Sequence, residues 1–284
     1  MKLIQTQLPN NHNIFFFGDA HHDSPLSSGK GWDELVNTMN SEYDDCSNNY
    51  GAEGGDDIEA IMVDDKRYSE ELLTEALPLI QMRHAVERRE PIKGMMLYKL
   101  TGNHEDKLWR FGNIMADMCK SLDVPFGTFT AKLTVNDSRG NLMYKVYDTH
   151  GRKGIGSTAD DPIRVEANQE LILKRHLKLK AGDCAVMIKH HVHKLIVAKP
   201  RQTLYLTDNG GAIRQHYTSW GQTESYIHPD ARWYGCAGSF LRLFGDSVSG
   251  YAERAEYDPT ELGFLVLSVR DKKIVELKPY YIRV

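Results

Sequence analysis

The chain has no long apolar run. Its longest, such as Ile14 to Phe17 and Ala185 to Ile188, fall far short of the roughly 20 residues that cross a bilayer, which excludes a helical membrane span. Cysteine is scarce: Cys46, Cys119, Cys184 and Cys236 lie far apart with no CxxC pair, so they read as reduced core filler and not as a disulfide framework or a zinc knuckle. Excess charge of one sign is also missing. The 35 basic and 39 acidic residues leave a formal net charge of −4, so the molecule as a whole exerts no broad pull on polyphosphate or on an anionic membrane, and any such affinity must be local. No fixed-period repeat or low-complexity tract is present. Met1 to Asn11 holds one lysine and no apolar stretch of the kind a secretory signal needs, so the expected compartment is the cytoplasm and no membrane partner is expected.

What the chain does have is 284 residues, 41% of them hydrophobic and 26% charged, enough for a real core in one large domain or two small ones. Its charge is uneven. Asp33 to Asp65 carries eleven acidic residues and no lysine or arginine, whereas Arg164 to Arg201 holds nine basic and three acidic residues, a local +6. These stretches read as two solvated faces of opposite sign.

Periodicity predicts an α/β protein closing in β structure. Asn13 to Phe17 is a buried strand ending at Gly18-Asp19. Ser69 to Arg89, with apolar residues at 72, 73, 76, 77 and 80, is an amphipathic helix kinked or divided at Pro78. Gly94 to Leu100 reads as a strand, Gly102 to Glu105 as the loop at its end, and Asp106 to Leu122 as the following helix. Thr128 to Tyr147 forms a hairpin that runs on into His150; Pro162 to Lys180 is helical; Cys184 to Ile188 is a strand ending in Lys189-His190-His191-Val192-His193. A hairpin follows around Asp208 to Gly211, and Gly263 to Pro279 alternates like two antiparallel edge strands.

Five strand-end loops deliver the chemistry: Asp19 and His21, Asp56, Asn103 and His104, His150, and His191 with His193. In open α/β sheets such loops converge in the crevice beyond the strand carboxyl ends. Imidazole nitrogens and carboxylate oxygens suit borderline divalent cations, and one spare carboxylate between two imidazole-rich halves suits two ions sharing it.

In this order the residues resemble the signature of the calcineurin-like metallophosphoesterase superfamily: D-x-H, GD-x-x-D/N, GNH-E/D, a lone His, and GH-x-H. The matching segments are Asp19-Ala20-His21, Gly55-Asp56-Asp57-Ile58-Glu59, Gly102-Asn103-His104-Glu105, His150, and His190-His191-Val192-His193. The chain departs from the pattern at His190, where the family has glycine, at Glu59 in the fourth position of the second motif, and in a long acidic loop between Asp19 and Asp56.

The resemblance implies a four-layer αββα sandwich of two mixed β-sheets, as a single domain over 1–284 with its motif-bearing core at about 13–195 and a β-rich part at 196–284. It implies two divalent ions, Mn²⁺ first with Fe and Zn²⁺ also compatible. One would be held by Asp19, His21, Asp56 and His193, the other by Asp56, Asn103, His150 and His191, with His104 facing the substrate phosphate. Two such cations ~3.5–4 Å apart lower the pKa of a bridging water and neutralise charge on the phosphoryl oxygens, while a histidine acts on the leaving oxygen. The implied activity is hydrolysis of a phosphate ester, most directly a phosphodiester in a nucleotide or nucleic acid. A phosphomonoesterase or phosphoprotein phosphatase is the alternative, weakened because Gly55 to Ala60 reads GDDIEA and not GDxVDRG. A nuclease is favoured by the +6 segment and disfavoured by the acidic stretch. A non-catalytic scaffold is disfavoured because every ligand position is filled.

Around this set, His22 and Asp23 are candidates to support the ligands or simply polar residues of a solvent-facing loop, Asp57 is a candidate to support the ligands, and Trp109, Arg110 and Arg152 are candidates to reach a substrate. Asp148 reads as a strand-end or turn residue, and Trp220, Trp233 and Tyr234 as core residues or an aromatic wall.

Overall fold

The computed structural model describes residues 1–70, 73–219 and 221–283. Strand β2 (His12–Phe17) is buried along its whole length. Its run Ile14 to Phe17 can be unbroken apolar because both of its faces are covered. Ile14 and Phe16 enter one core cluster, Phe15 and Phe17 another.

Strand β2 lies at the centre of a five-stranded mixed sheet. On one side run β3 (Asn49–Glu53) and then β4 (Met96–Lys99), both parallel to it; on the other runs β12 (Leu262–Arg270), antiparallel to β2, and beyond it β13 (Lys273–Ile282), antiparallel to β12. The second sheet has six strands in the order β1 (Lys2–Gln7), β5 (Thr130–Asn136), β6 (Leu142–Thr149), β7 (Val186–Lys189), β11 (Trp233–Ala237) and β8 (Leu195–Ala198). Here β6, β7 and β11 are mutually parallel. Strands β9 (Leu204–Asp208) and β10 (Ile213–Tyr217) form a separate, exposed hairpin.

The two sheets meet across a shared core in which Ile14, Phe16, Tyr98 and Leu265 of one sheet pack with Leu133, Val146, Val186 and Ile188 of the other. Helix α1 (Gly29–Met39) covers the outer face of the five-stranded sheet through Trp32, Leu35 and Met39. Helix α2 (Pro78–Arg89) packs on α4 (Ile114–Leu122), with the short α3 (Asn103–Asp106) between them in the chain. Helix α5 (Pro162–Leu177) closes the outer face of the six-stranded sheet through Leu173 and Leu177. The protein is therefore an α/β sandwich of two mixed sheets. The loops after β2, β3 and β4 leave one sheet, and those after β6 and β7 leave the other.

Several boundaries differ from the sequence expectation. Within Ser69 to Arg89 the α-helix among the described residues is Pro78–Arg89: Leu77 is extended, as the residue before a proline tends to be, and Pro78 opens the helix at a position that needs no N–H. Leu72, part of that apolar pattern, lies outside the described residues. The single helix expected over Asp106 to Leu122 is broken at Gly112, which takes φ +96°, and α4 starts afresh with the Asn113 side chain accepting the Ala116 N–H at 3.0 Å. The acidic loop expected before Asp56 contains α1 and β3. Of the two strands expected at the edge over Gly263 to Pro279, β13 is one, whereas β12 is flanked on both sides and buried, because β2 pairs with it. The four cysteines are buried and unpaired. Among the described residues no helix is long and apolar enough to cross a membrane.

Candidate metal centre

All eight residues singled out from the sequence meet beyond the carboxyl ends of β2, β3, β4, β6 and β7. Ligand atoms of Asp19, His21 and His193 lie within 4.8 Å of one another, and so do those of Asp56, His150 and His191. Asn103 joins the second group, its Oδ1 3.2 Å from His150 Nε2. His104 joins the first, its ring centroid 4.5 Å from that of His21.

The backbone is bent to achieve this. Asp19, His21, Asp56, His191 and His193 all adopt positive φ, between 47° and 73°, a region that costs a non-glycine residue roughly 1–3 kcal/mol and persists only when the surroundings enforce it. Glu105 does much of the enforcing. Its carboxylate accepts the N–H groups of Gly102 (2.9 Å), Asp56 (3.1 Å), Asp57 (2.6 Å) and Ile58 (3.3 Å), tying the loop after β3 to the loop after β4. Gly102 is required at this junction, because a Cβ there would fall on the Asp56 carboxylate.

The hydrogen bonds set the tautomers. His150 Nδ1 faces the Gly54 carbonyl at 2.7 Å and must donate to it, so Nε2 turns its lone pair toward Asp56 Oδ2 and Asn103 Oδ1, both at 3.2 Å. His21 Nδ1 likewise donates to Glu59 Oε2 at 3.0 Å, leaving Nε2 buried with no hydrogen bond. Asp19 Oδ1, 3.2 Å from His193 Nε2, is also buried and makes no hydrogen bond. His104 Nδ1 donates to the Glu59 carbonyl, so its Nε2 faces the cleft, 3.2 Å from Arg67 Nη1.

Acceptors thus face acceptors, an arrangement that calls for positive charge at their centre. In the isolated protein protons supply it. Burial opposes charge on His21 and His150, but Glu59 and Asp56 outweigh it and push both up to about 9. Burial would raise the Asp19 and Asp56 carboxyls, yet His193 holds the first and His150 the second below the usual range. Burial pushes His104 down to about 4, and burial with His150 nearby does the same to His191. The donor set, nitrogen and carboxylate oxygen with two buried atoms that make no hydrogen bond, fits divalent cations.

The supporting residues were only partly foreseen. Asp57 belongs to a fully buried quartet in which Lys99 reaches it at 2.6 Å and Arg89 at 3.3 Å, both cations also binding Glu53. His22, expected beside the ligands or in a solvent-facing loop, is buried edge-on against Trp32, ring centroids 4.7 Å apart. Asp23 accepts from His84 at 3.1 Å.

Asp148 is a buried strand residue, and not a turn: it pairs with His190 at 3.1 Å and accepts the Tyr98 hydroxyl at 2.9 Å. Tyr234 fills the core under α5 and Trp233 packs on the inter-sheet core, so neither forms an aromatic wall. Trp220 lies outside the described residues. Glu105, Glu53, Arg89, Lys99 and Arg67 escaped the sequence reading as functional residues. Glu105 was legible inside GNHE, whereas Arg67 carries no motif and reaches His104 only through the fold.

A cleft of about 920 Å³ opens over Asp56, Asn103, His104, His191 and His193, with Arg67 on its wall.

No family model matches the chain, and no curated protein matches it. Among solved structures it is similar to the NAD nucleotidase NadN of Haemophilus influenzae, with a TM-score of 0.41 and 11% identity over 96% of this chain and 50% of that one. The chain spans about half the length of that protein.

Proposed function

We propose that the protein is a dinuclear metal-dependent phosphoesterase of the calcineurin-like metallophosphoesterase group, built as that group's four-layer αββα sandwich. Its substrate is a phosphate ester, foremost a phosphodiester in a nucleotide or nucleic acid. The observation that carries this reading is the meeting of Asp19, His21, Asp56, Asn103, His150, His191 and His193, with the His21 and His150 Nε2 lone pairs turned inward and His21 Nε2 and Asp19 Oδ1 buried without a hydrogen bond.

Asp19, His21 and His193 would hold one cation, Asn103, His150 and His191 the other, and Asp56 both. Mn²⁺ ranks first, with Fe and Zn²⁺ equally suited to the donors. Bound there, two cations supply Lewis acidity toward the phosphoryl oxygens and a lowered pKa for water. The protein's own part is orientation. Glu59 holds the His21 ring, Gly54 the His150 ring and Glu105 the loop of Asp56. His104 Nε2 and the Arg67 guanidinium, already 3.2 Å apart and facing the cleft, contact the phosphate and the leaving oxygen. Burial keeps His104 neutral at rest, and the negative charge of an arriving phosphate raises its proton affinity toward the range of a useful acid. The four unpaired cysteines agree with a reducing compartment.

The test is hydrolysis of bis-p-nitrophenyl phosphate against p-nitrophenyl phosphate in Mn²⁺ with EDTA controls, beside labelled single- and double-stranded DNA, with bound metal measured by mass spectrometry. Asp56→Ala is expected to lose metal and turnover together. His104→Ala should keep its metal and lose roughly 10²–10⁴-fold in kcat. Absence of both turnover and bound metal in the wild type would overturn the assignment.

A further inference from the structure

Tryptophan is usually well buried, yet Trp109 is 72% exposed. It sits in a tight turn (Trp109–Phe111) anchored by the buried Leu108 directly after α3, the helix that begins at Asn103. The indole borders a cleft of about 530 Å³ whose other walls are Asn103, His191, Asp106, Lys107 and Arg152. The indole also borders a second cleft of about 510 Å³, where Phe126 and Phe129 are the other aromatic walls and the polar groups include Thr101, Thr128, Asn113 and the carboxylates of Glu105 and Asp106. The exposed ring therefore shares one cleft with two of the candidate metal ligands and a second with Phe126 and Phe129.

The charges around it set the class of ligand. Every cation beside Trp109 is already paired: Lys107 with Asp65 at 3.2 Å, Arg110 with Asp64 at 3.4 Å and Arg152 with Asp106 at 2.9 Å. Such a surface is close to neutral, and a nucleic-acid track needs unbalanced positive charge to displace counterions along the strand. What it offers is an aromatic face. The Arg110 guanidinium lies over one face of the Trp109 ring, 5.8 Å from its centroid, and the Arg152 guanidinium lies over that of Phe129 at 5.6 Å.

We propose that Trp109 is a stacking platform for the base of a single nucleoside whose phosphate ester lies at Asn103 and His191, so that the substrates are nucleotide esters and not long strands. The proposal rests on the phosphoesterase reading above. Stacking one base on an aromatic ring is typically worth about tenfold in affinity.

Two probes releasing the same p-nitrophenolate separate the shelf from the chemistry: thymidine 5′-(p-nitrophenyl phosphate) and methyl p-nitrophenyl phosphate, used with the Mn²⁺-loaded full chain. In Trp109→Ala the ratio of kcat/KM for the thymidine ester to that for the methyl ester should fall about tenfold, carried by KM, and Trp109→Phe should restore most of it. An unchanged ratio overturns the proposal. Binding is followed independently of turnover by quenching of tryptophan fluorescence with thymidine 5′-monophosphate in EDTA-treated protein. Quenching should be strong in the wild type and largely lost in Trp109→Phe, and equal quenching in both refutes the platform. If neither ester turns over, the phosphoesterase reading falls and the fluorescence titration still decides the platform. Oligothymidylate binding far more tightly than the mononucleotide, with steep salt dependence, would overturn the restriction to single nucleotides.

Discussion

Glu59 shows how much rests on one side chain. In the sequence it is merely an unusual fourth residue in the second motif, yet its carboxylate fixes the His21 tautomer at 3.0 Å and its carbonyl fixes that of His104. Outer partners of this kind typically tune metal affinity by about 10–100-fold. Glu59→Gln removes the anion that holds the His21 N–H while leaving the backbone contact to His104 in place. Calorimetric titration with Mn²⁺ should show affinity reduced within that range and an unchanged far-ultraviolet circular dichroism spectrum; wild-type affinity would show that His21 needs no such support. His190 is the other informative residue. It stands where the resembled family has glycine, and the structure leaves its neighbours His191 and His193, not His190 itself, among the clustered ligand atoms. Its ring turns inward to Asp148.

At the scale of elements, that inward turn joins the sheets. His190 follows β7, Asp148 lies on β6 and Tyr98 on β4, so the chain of contacts from His190 Nε2 through Asp148 to the Tyr98 hydroxyl crosses from one sheet to the other beneath the site. The ring fits only because Gly54, at the end of β3, has no side chain: a Cβ there would fall inside the imidazole. Gly54→Ala should therefore destabilise the fold by about 1–3 kcal/mol through overpacking, read in urea melts. The double variant with His190→Gly should recover part of that loss; strictly additive destabilisation would mean that the two do not compete for space. The elements themselves were legible where a local signal dominated, as in the buried run of β2, the β5–β6 hairpin and the Pro162 start of α5. Pro78 marks its break in the sequence itself, and α2 begins there; Gly112 does not, because periodicity continues through a break that only φ reveals.

For the whole molecule, stability is concentrated in the inter-sheet core and in the buried quartet of Glu53, Arg89, Asp57 and Lys99, which binds β3, α2, β4 and the Asp56 loop together. Two positive and two negative groups balance there, so removing one leaves a charge stranded. Glu53→Gln should cost about 3–5 kcal/mol by chemical denaturation, and a loss under 1 kcal/mol would show that water reaches the quartet.

Acid should act partly through His12, which donates to Pro9 O, meets the Tyr144 hydroxyl and is pushed by burial down to about 4 from its ordinary 6.5. The unfolded chain takes that proton near 6.5 while the folded one refuses it until about 4. Its share of stability is therefore whole above pH 6.5 and declines as pH falls through this window, by up to about 1.4 kcal/mol per pH unit. His12→Gln should flatten the slope of stability against pH between 6.5 and 4 by about one proton, and an unchanged slope would assign the acid sensitivity elsewhere.

The α/β class and the residues that cluster beyond the strand ends were readable from the linear order of residues, because strand-end motifs are local in sequence and their chemistry lies in residue type. The quartet, the Arg67 contact to His104 and the Glu105 link between loops were settled only by the tertiary fold. Each joins residues tens of positions apart in the chain, and whether a buried charge finds its counter-charge depends on where the sheets bring the backbone, which no periodicity encodes.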